Sequence, residues 1–315
     1  MRTVTVNGGM APQPPCAATI GFFDGVHRGH TFLIRQVVDS ARAEAIEASV
    51  ITFNDHPRHV LHSDFQPHML STNEEKMLLF SKTGIDRCAV LPFDREMAAL
   101  SARDFMDGVL RDKLNVRILY IGYDNRFGHD RTEGFDDYVR YGKEYGMEVR
   151  RAGTYTLNGV NVSSSYIRSL LTAGEVAMAA QCLGYHYSLK GTVVHGVQQG
   201  RMMGFPTANI RPASNEKIVP AQGVYAVKAL LQGEATEREA IMNIGVRPTF
   251  GSGGAVSMEA NIFGFDGDIY GQDIRVAFVQ RLRNEHKFTS AQQLARQLAD
   301  DKARAEHLFG KGRQS

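Results

Sequence analysis

The chain has 315 residues, with 36 Lys and Arg against 34 Asp and Glu, a formal net charge of +2 and three cysteines. That length suits two domains better than one, and the balanced charge excludes the basic footprint of a polyanion-binding protein, so neither nucleic acid nor an acidic membrane is an expected partner. Cys16, Cys88 and Cys182 are odd in number, far apart and outside metal-ligand spacing, which argues for small buried side chains in a reducing compartment rather than a disulfide framework.

The first residues, "MRTVTVNGGMAPQPPC", contain no apolar signal-peptide core. No run approaches the roughly 20 apolar residues that span a bilayer. A cytoplasmic protein is therefore expected.

The first strong element is the apolar run "CAATI", residues 16–20, which meets the turn "GFFDGVHRGH", residues 21–30. Helical apolar spacing follows at Phe32, Leu33, Val37 and Ala41. The peptide thus reads as the end of a parallel strand and the start of a helix, whose unpaired N–H groups suit a phosphate. His27 and His30 stand three apart, on one helical face, with Gly29 allowing close approach of a ligand to the backbone. Two imidazoles there can donate to phosphate oxygens. An exposed loop with two ordinary histidines reads equally well, and a metal would need a third ligand that is not evident.

Further strands are read at "EASVITF", "RCAVLPF" and "VRILYIG", with amphipathic helices "NEEKMLLFSKTG" and "SARDFMDGVLRDKL" between them. Thr72 or Asn73 would cap the first helix, and Ser101 with Asp104 would open the second. This alternation predicts a doubly wound α/β domain with a parallel sheet. Ligands of such sheets gather beyond the carboxyl ends of the strands, where "GFFDGVH", "TFNDHP" and "IGYDNRFG" would share one edge. Asn54, Asp55 and His56 alone read as a turn. Asp124, Arg126, Phe127 and Arg131 set an aromatic among charged groups that suit a planar ring and a phosphate. In "VSSSYIR", Ser164, Ser165 and Arg168 precede or open a helix, as phosphate ligands or as an ordinary cap.

After "LLTAGEVAMAAQCLG" the texture changes near residue 185. "GTVVHG", "TANIRP", "GVYAVKALL", "EAIMNIGV", "SMEANIFGF" and "DIRVAFVQRL" predict a compact antiparallel β-barrel, closed by a terminal helix after Thr289 and Ser290. That helix carries Leu294, Leu298, Ala305 and Leu308 on one stripe. Domains of 1–184 and 185–315 are expected. In "GRMMGFPTANI", Thr207 and Asn209 are two apart on a strand-like segment, either as hard oxygen ligands suited to Mg²⁺ or as incidental polar residues of a Gly/Pro turn entering a strand. Glu259 lies in an apolar strand as a general base or a paired edge residue. No Walker A pattern occurs, and "GSGG" at 251–254 lacks the context of a nucleotide loop.

Taken in order, these motifs make the chain resemble the bacterial bifunctional riboflavin kinase/FAD synthetase family over nearly its whole length. The N-terminal set is "GFFDGVHRGH", "TFNDHP", "IGYDNRFGHDRTEG" and "VSSSYIR"; the C-terminal set is "GTVVHGVQQGRMMGFPTANI", "GVYAV", "NIGVRPTF", "MEANIFGFDGDIYG" and "RLRNEHKF". The resemblance implies an N-terminal FMN adenylyltransferase and a C-terminal riboflavin kinase, with ATP as co-substrate, Mg²⁺ as cofactor, and riboflavin, FMN and FAD as substrates and products. It implies that His27 and His30 are catalytic at the ATP phosphates and that Phe23, Gly25, Asp124, Ser164, Ser165 and Arg168 bind nucleotide or flavin. In the kinase it makes Gly200, Arg201, Gly204, Thr207 and Asn209 phosphate-binding, Thr207 and Asn209 the Mg²⁺ ligands, and Glu259 the base for the ribityl 5′-hydroxyl. Phe22, Asn125, Asn261 and Gly264 depart from the commoner family pattern, as does Ser165 for Thr. The sequence also admits two other readings: a nucleotidyltransferase for another phosphate acceptor, or a non-enzymatic barrel beside a degenerate nucleotide fold.

Overall fold

The computed structural model describes every residue except 8, 55–67, 123–124, 130–131, 196–206, 248–254, 287 and 312–315. The chain packs as two compact units, Met1–Ser164 and Ser165–Ser315.

The first unit is built on a six-stranded parallel sheet in the order β1-β4-β3-β2-β5-β6. The strands are β1 (Arg2–Thr5), β2 (Cys16–Ile20), β3 (Glu47–Phe53), β4 (Arg87–Leu91), β5 (Val116–Ile121) and β6 (Glu148–Arg151). Every residue of β2 is buried, because the sheet is covered on both faces. Cys16, Ala18 and Ile20 pack with Leu110 and Tyr138 on one face, while Ala17 packs with Leu33, Ile34 and Val37 on the other. This is strand alternation read out as two cores. The covering helices are α1 (Arg28–Ala43), α2 (Asn73–Ser81), α3 (Arg95–Ala99), α4 (Ala102–Asp104), which runs on as a π-helical stretch Phe105–Lys113, and α5 (Phe135–Tyr145). Thr72 caps α2 through a capping box with Glu75, and Ser101 accepts from the Asp104 N–H as α4 begins. A hairpin, β7 (Thr156–Leu157) and β8 (Val160–Asn161), leads to Ser164.

Strand β2 lies between β3 and β5, both parallel to it. The winding therefore reverses between β2 and β5, and the turns after these two strands flank that reversal, where open α/β sheets bind their ligands. All three cysteines are buried and none is in a disulfide, and burial pushes the Cys16 thiol up to about 11 and that of Cys88 to about 12.

The second unit starts with α6, numbered Ser164–Ala173 and so opening on the last residue of the first unit, followed by α7 (Val176–Leu183). Its core is a closed antiparallel barrel in the order β10-β13-β12-β11-β14-β9. The strands are β9 (Ser188–Val194), β10 (Ala208–Pro212), β11 (Gly223–Leu231), β12 (Arg238–Arg247), β13 (Ala255–Ile262) and β14 (Asp273–Arg283). The terminal helix α8 (Ala291–Lys311) buries Ala305 and Phe309 against Val224, Ala226 and Ile241, with Leu308 beside them. Leu294 and Leu298 stay half-buried, so the expected stripe is anchored at its C-terminal end. The helix is also tied by charge. Asp301 is fully buried, accepts from Arg283 Nε with both oxygens at 3.0 and 3.1 Å, and receives the Gln297 amide at 2.9 Å.

Removing one partner of a buried pair strands the other, at a cost of about 3–5 kcal/mol. Asp301→Ala is therefore expected to destabilise the barrel unit by about that amount in denaturant unfolding. Pairing Arg283→Met with Asp301→Leu should restore most of the loss, because no buried charge is then left alone.

Candidate functional site

In the first unit the chain leaves β2 through a turn that ordinary residues resist. Phe23, Gly25 and Val26 have φ of 55°, 76° and 36°, left-handed values that only glycine adopts freely. Asp24, 3 % exposed, holds the turn. Its carboxylate accepts from the N–H groups of Leu70 at 3.0 Å and Ser71 at 3.1 Å. The Ser71 hydroxyl in turn accepts from the Gly25 N–H at 2.9 Å, and Ser164 donates to the Asp24 carbonyl at 3.1 Å. Ser164 thus joins the "GFFDGVH" turn as a structural partner.

His27 is the N-cap of α1, and its Nδ1 accepts the His30 N–H at 3.3 Å. In the neutral ring Nε2 then carries the proton. The His27 and His30 rings stack, centroids 3.6 Å apart and 19° from parallel. Phe23 closes edge-on against His30 at 5.1 Å and against Phe80 at 5.7 Å. A Cβ on Gly29 would lie 3.1 Å from the His27 ring and from the Val162 carbonyl, so the pair needs glycine between its members. His30 Nδ1 is buried without a hydrogen-bond partner. Burial of the ring, and second the His27 ring beside it, hold the His30 pKa well below the ordinary histidine value.

The same edge carries groups that no local motif marks. Lys76 on α2 is buried, donates to the Phe22 carbonyl at 3.3 Å and the Phe53 carbonyl at 3.2 Å, and lies over the Phe22 ring at 4.2 Å. Phe22, a departure from the family pattern, is thereby part of a cation–π contact. Asn125, another departure, donates to the Ile20 carbonyl at 2.6 Å and so joins the β5 turn to β2. Asn54 accepts from the Phe93 N–H at 3.1 Å, a turn role. Phe127 does not stand free among cations: it stacks on Tyr138 at 4.3 Å and packs against the core. Asp124, Asp55, His56 and Arg131 lie outside the described residues. Ser165 and Arg168 lie on α6, in the second unit as the chain packs.

In the barrel, Asn209 on β10 stands directly opposite Glu259 on β13. Directly opposed residues share a face with Cβ atoms about 4.5–5.5 Å apart, so sequence positions 50 apart meet as one amide–carboxylate pair. Thr207 immediately precedes β10 and lines a cavity of about 370 Å³ with Ala208, Ala260, Phe265, Asp268 and Tyr270. Neither Asn209 nor Glu259 is among the lining residues; they stand one position along each strand from Ala208 and Ala260. Gly200, Arg201 and Gly204 lie outside the described residues. Among the described residues no group of three or more His, Cys, Asp or Glu could hold a metal. The Thr207 hydroxyl and the Asn209 amide oxygen are hard donors of the kind that fits Mg²⁺ sharing its shell with phosphates and water.

Residues 10–166 match the family described as FAD synthetase, and residues 183–309 the family described as riboflavin kinase. The bifunctional riboflavin kinase/FMN adenylyltransferase of Escherichia coli strain K12 is 36% identical over 304 residues, covering 96% of each chain. Its namesake from Bacillus subtilis strain 168 is 36% identical over 94% of this chain and 93% of its own length. A solved structure described as a macrolide-efflux protein from Streptococcus pneumoniae matches with a TM-score of 0.87 and 30% identity, covering 96% of this chain and 98% of that one. Efflux is said of that protein; among the described residues here, no helix is long and apolar enough to cross a membrane.

His30 gives a test that needs no substrate. Its folded pKa lies well below the 6.5 of an unperturbed ring, so in that interval the unfolded chain holds more protons. Stability is then complete above about pH 6.5 and falls as the pH drops below it, by at most about 1.4 kcal/mol per pH unit. His186 in the other unit shifts the same way, so the readout is a variant. His30→Gln should flatten the acid-side loss in denaturant unfolding of the first unit between about pH 7 and about pH 5; an unchanged slope would show that His30 is not its source.

Proposed function

The chain belongs to the bifunctional riboflavin kinase/FMN adenylyltransferase family, and on that premise we propose which of its residues perform each reaction. It is an enzyme of flavin cofactor synthesis: it phosphorylates riboflavin with ATP to give FMN and ADP, and adenylylates FMN with a second ATP to give FAD and pyrophosphate. Its partners are these small molecules.

We assign adenylyl transfer to the β2 edge of the parallel sheet. An FMN phosphate oxygen attacks the α-phosphorus of ATP, and the bond to the β-phosphate breaks as pyrophosphate leaves. No covalent enzyme intermediate is needed, so the protein supplies position and charge. His27 presents its ring at the N-terminus of α1 with its tautomer set by the cap, and His30 stacks on it. Phe23 and Gly25 shape the turn that carries them, and Ser164 is tied to that turn. Asp124, Ser165 and Arg168 keep the nucleotide- and flavin-binding roles that the family pattern gives them. The functional boundary is placed at 184/185, so that all of "VSSSYIR" serves the first activity although α6 and α7 belong with the barrel in the packing.

We assign phosphoryl transfer to the barrel wall at β10 and β13. The observation that carries this is the register pairing of Asn209 with Glu259. Glu259 takes the proton of the ribityl 5′-hydroxyl, whose oxygen attacks the γ-phosphorus while ADP leaves. Thr207 and Asn209 would hold Mg²⁺, which when bound neutralises charge on the phosphates. Gly200, Arg201 and Gly204 complete the phosphate contacts. Buried cysteines outside any disulfide agree with a cytoplasmic location.

His30→Ala is expected to lower FAD formation from supplied FMN by about 100-fold or more while sparing FMN formation. Glu259→Gln should do the reverse, lowering FMN formation by about 10²–10⁴-fold and leaving FAD synthesis from FMN intact. Chromatography of the flavins over time reads both. Loss of both activities in a folded single variant would refute the separation of sites.

A further inference from the structure

Glu259 has an asparagine opposite it on each side. Asn209 faces it across the β10–β13 ladder, and Asn243 faces it across the β12–β13 ladder. The three side chains share one face and span two strand spacings, about 10 Å. That face is the one under the terminal helix. Ile241, two residues before Asn243 on β12 and therefore on the same side, packs with Ala305 and Phe309 of α8. Beyond Asn243 the row continues to Val224 on β11, buried in that same apolar cluster. The order along the wall is thus amide, carboxylate, amide, apolar.

Asn243 is half-buried. Among the described residues its side-chain amide makes no hydrogen bond, to Glu259 or to any other group. It therefore neither orients the carboxylate nor serves the fold through its polar atoms. In-line transfer sets the phosphoryl donor and the acceptor on opposite sides of the moving group. With the phosphates on the Asn209 side of Glu259, the acceptor approaches from the Asn243 side.

We propose that Asn243 is a substrate-binding residue of the kinase reaction, its amide holding a hydroxyl of the ribityl chain adjacent to the one that Glu259 deprotonates. The inference rests on the assignment of Glu259 as the base. A polyol suits an amide because the NH₂ donates to a hydroxyl oxygen while the carbonyl accepts from a hydroxyl hydrogen. Such a contact selects for the chain rather than for the ring. A site built to hydrogen-bond a hydroxyl penalises an acceptor that lacks it, since its own polar group is then left unpaired.

The test uses the full-length enzyme with Asn243→Leu, close in shape, and Asn243→Ser, smaller but polar. The expected result is a fall of about 10–100-fold in kcat/KM for riboflavin, mostly through KM, with KM for ATP unchanged. Lumiflavin, which carries a methyl group in place of the ribityl chain, is the probe for a structural effect. As a competitive inhibitor of riboflavin phosphorylation it should keep its inhibition constant in both variants. An unchanged riboflavin KM overturns the proposal, and so does a lumiflavin constant that weakens in parallel with it. Glu259→Gln run beside them separates the two claims. Normal FMN formation in that variant rejects the base assignment, whereas a slow Glu259→Gln with a normal Asn243→Leu rejects the asparagine alone.

Discussion

Asp24 is nearly sealed from solvent, and its carboxylate receives the backbone N–H groups of Leu70 and Ser71 and the Ser71 hydroxyl. Much of the first unit's chemistry follows from that one arrangement. Left-handed backbone at a non-glycine residue costs of order 1–3 kcal/mol, and here both Phe23 and the β-branched Val26 adopt it. Hydrogen bonds to a charged acceptor contribute about 1.5–3 kcal/mol each, enough for three of them to offset the strain. The turn so held ends the parallel strand and starts α1 within seven residues, from Ile20 to Arg28. It thereby delivers His27 to the cap position and His30 one turn on.

The same edge faces an accounting problem. Strands β2 and β3 end there, with the Phe22 carbonyl in the turn after β2 and the Phe53 carbonyl at the last residue of β3. Lys76 answers both by donating to them from α2. Its charge is placed where carbonyl oxygens converge, and the Phe22 ring faces it as well. Asn125 closes the other side by donating to the Ile20 carbonyl. The residues that hold this edge together are therefore distinct from the two histidines, and they satisfy backbone groups that a sheet edge would otherwise strand.

How much of this the sequence shows depends on the range of the interaction. Short apolar runs bounded by turn residues give β2, β3, β4 and β5, and the six barrel strands, because burial on one or two faces is written locally. The Thr72 capping box is legible for the same reason: its partners are three residues apart. Strands β1 and β6, only four residues each with exposed positions, carry no such run. Lys76 reads as one more polar residue of an amphipathic helix, since the carbonyls it donates to lie 23 and 54 residues away. Phe127 reads as a ring among cations, but Tyr138, eleven residues on, takes its face. Asp24 sits inside the most conspicuous motif, yet its partners at 70 and 71 cannot be inferred from that motif alone.

In the barrel the missing information is register. Alternation assigns Asn243 and Glu259 each to a face of its own strand, but which residue of β12 stands beside which residue of β13 is set by the loop joining them and by closure with β9 and β14. A shift of one position would bring Met242 or Ile244 opposite Glu259 and move the pair to the other face. Closure makes that costly, because every strand has two neighbours and a slip in one ladder must be matched around the ring. The parallel sheet locates its site through a strained turn and a buried charge, which a few residues encode; the barrel locates its site through pairings that no short segment contains. It follows that local motifs reveal the two histidines readily, whereas an asparagine flanking the proposed base emerges only when the strands are laid side by side.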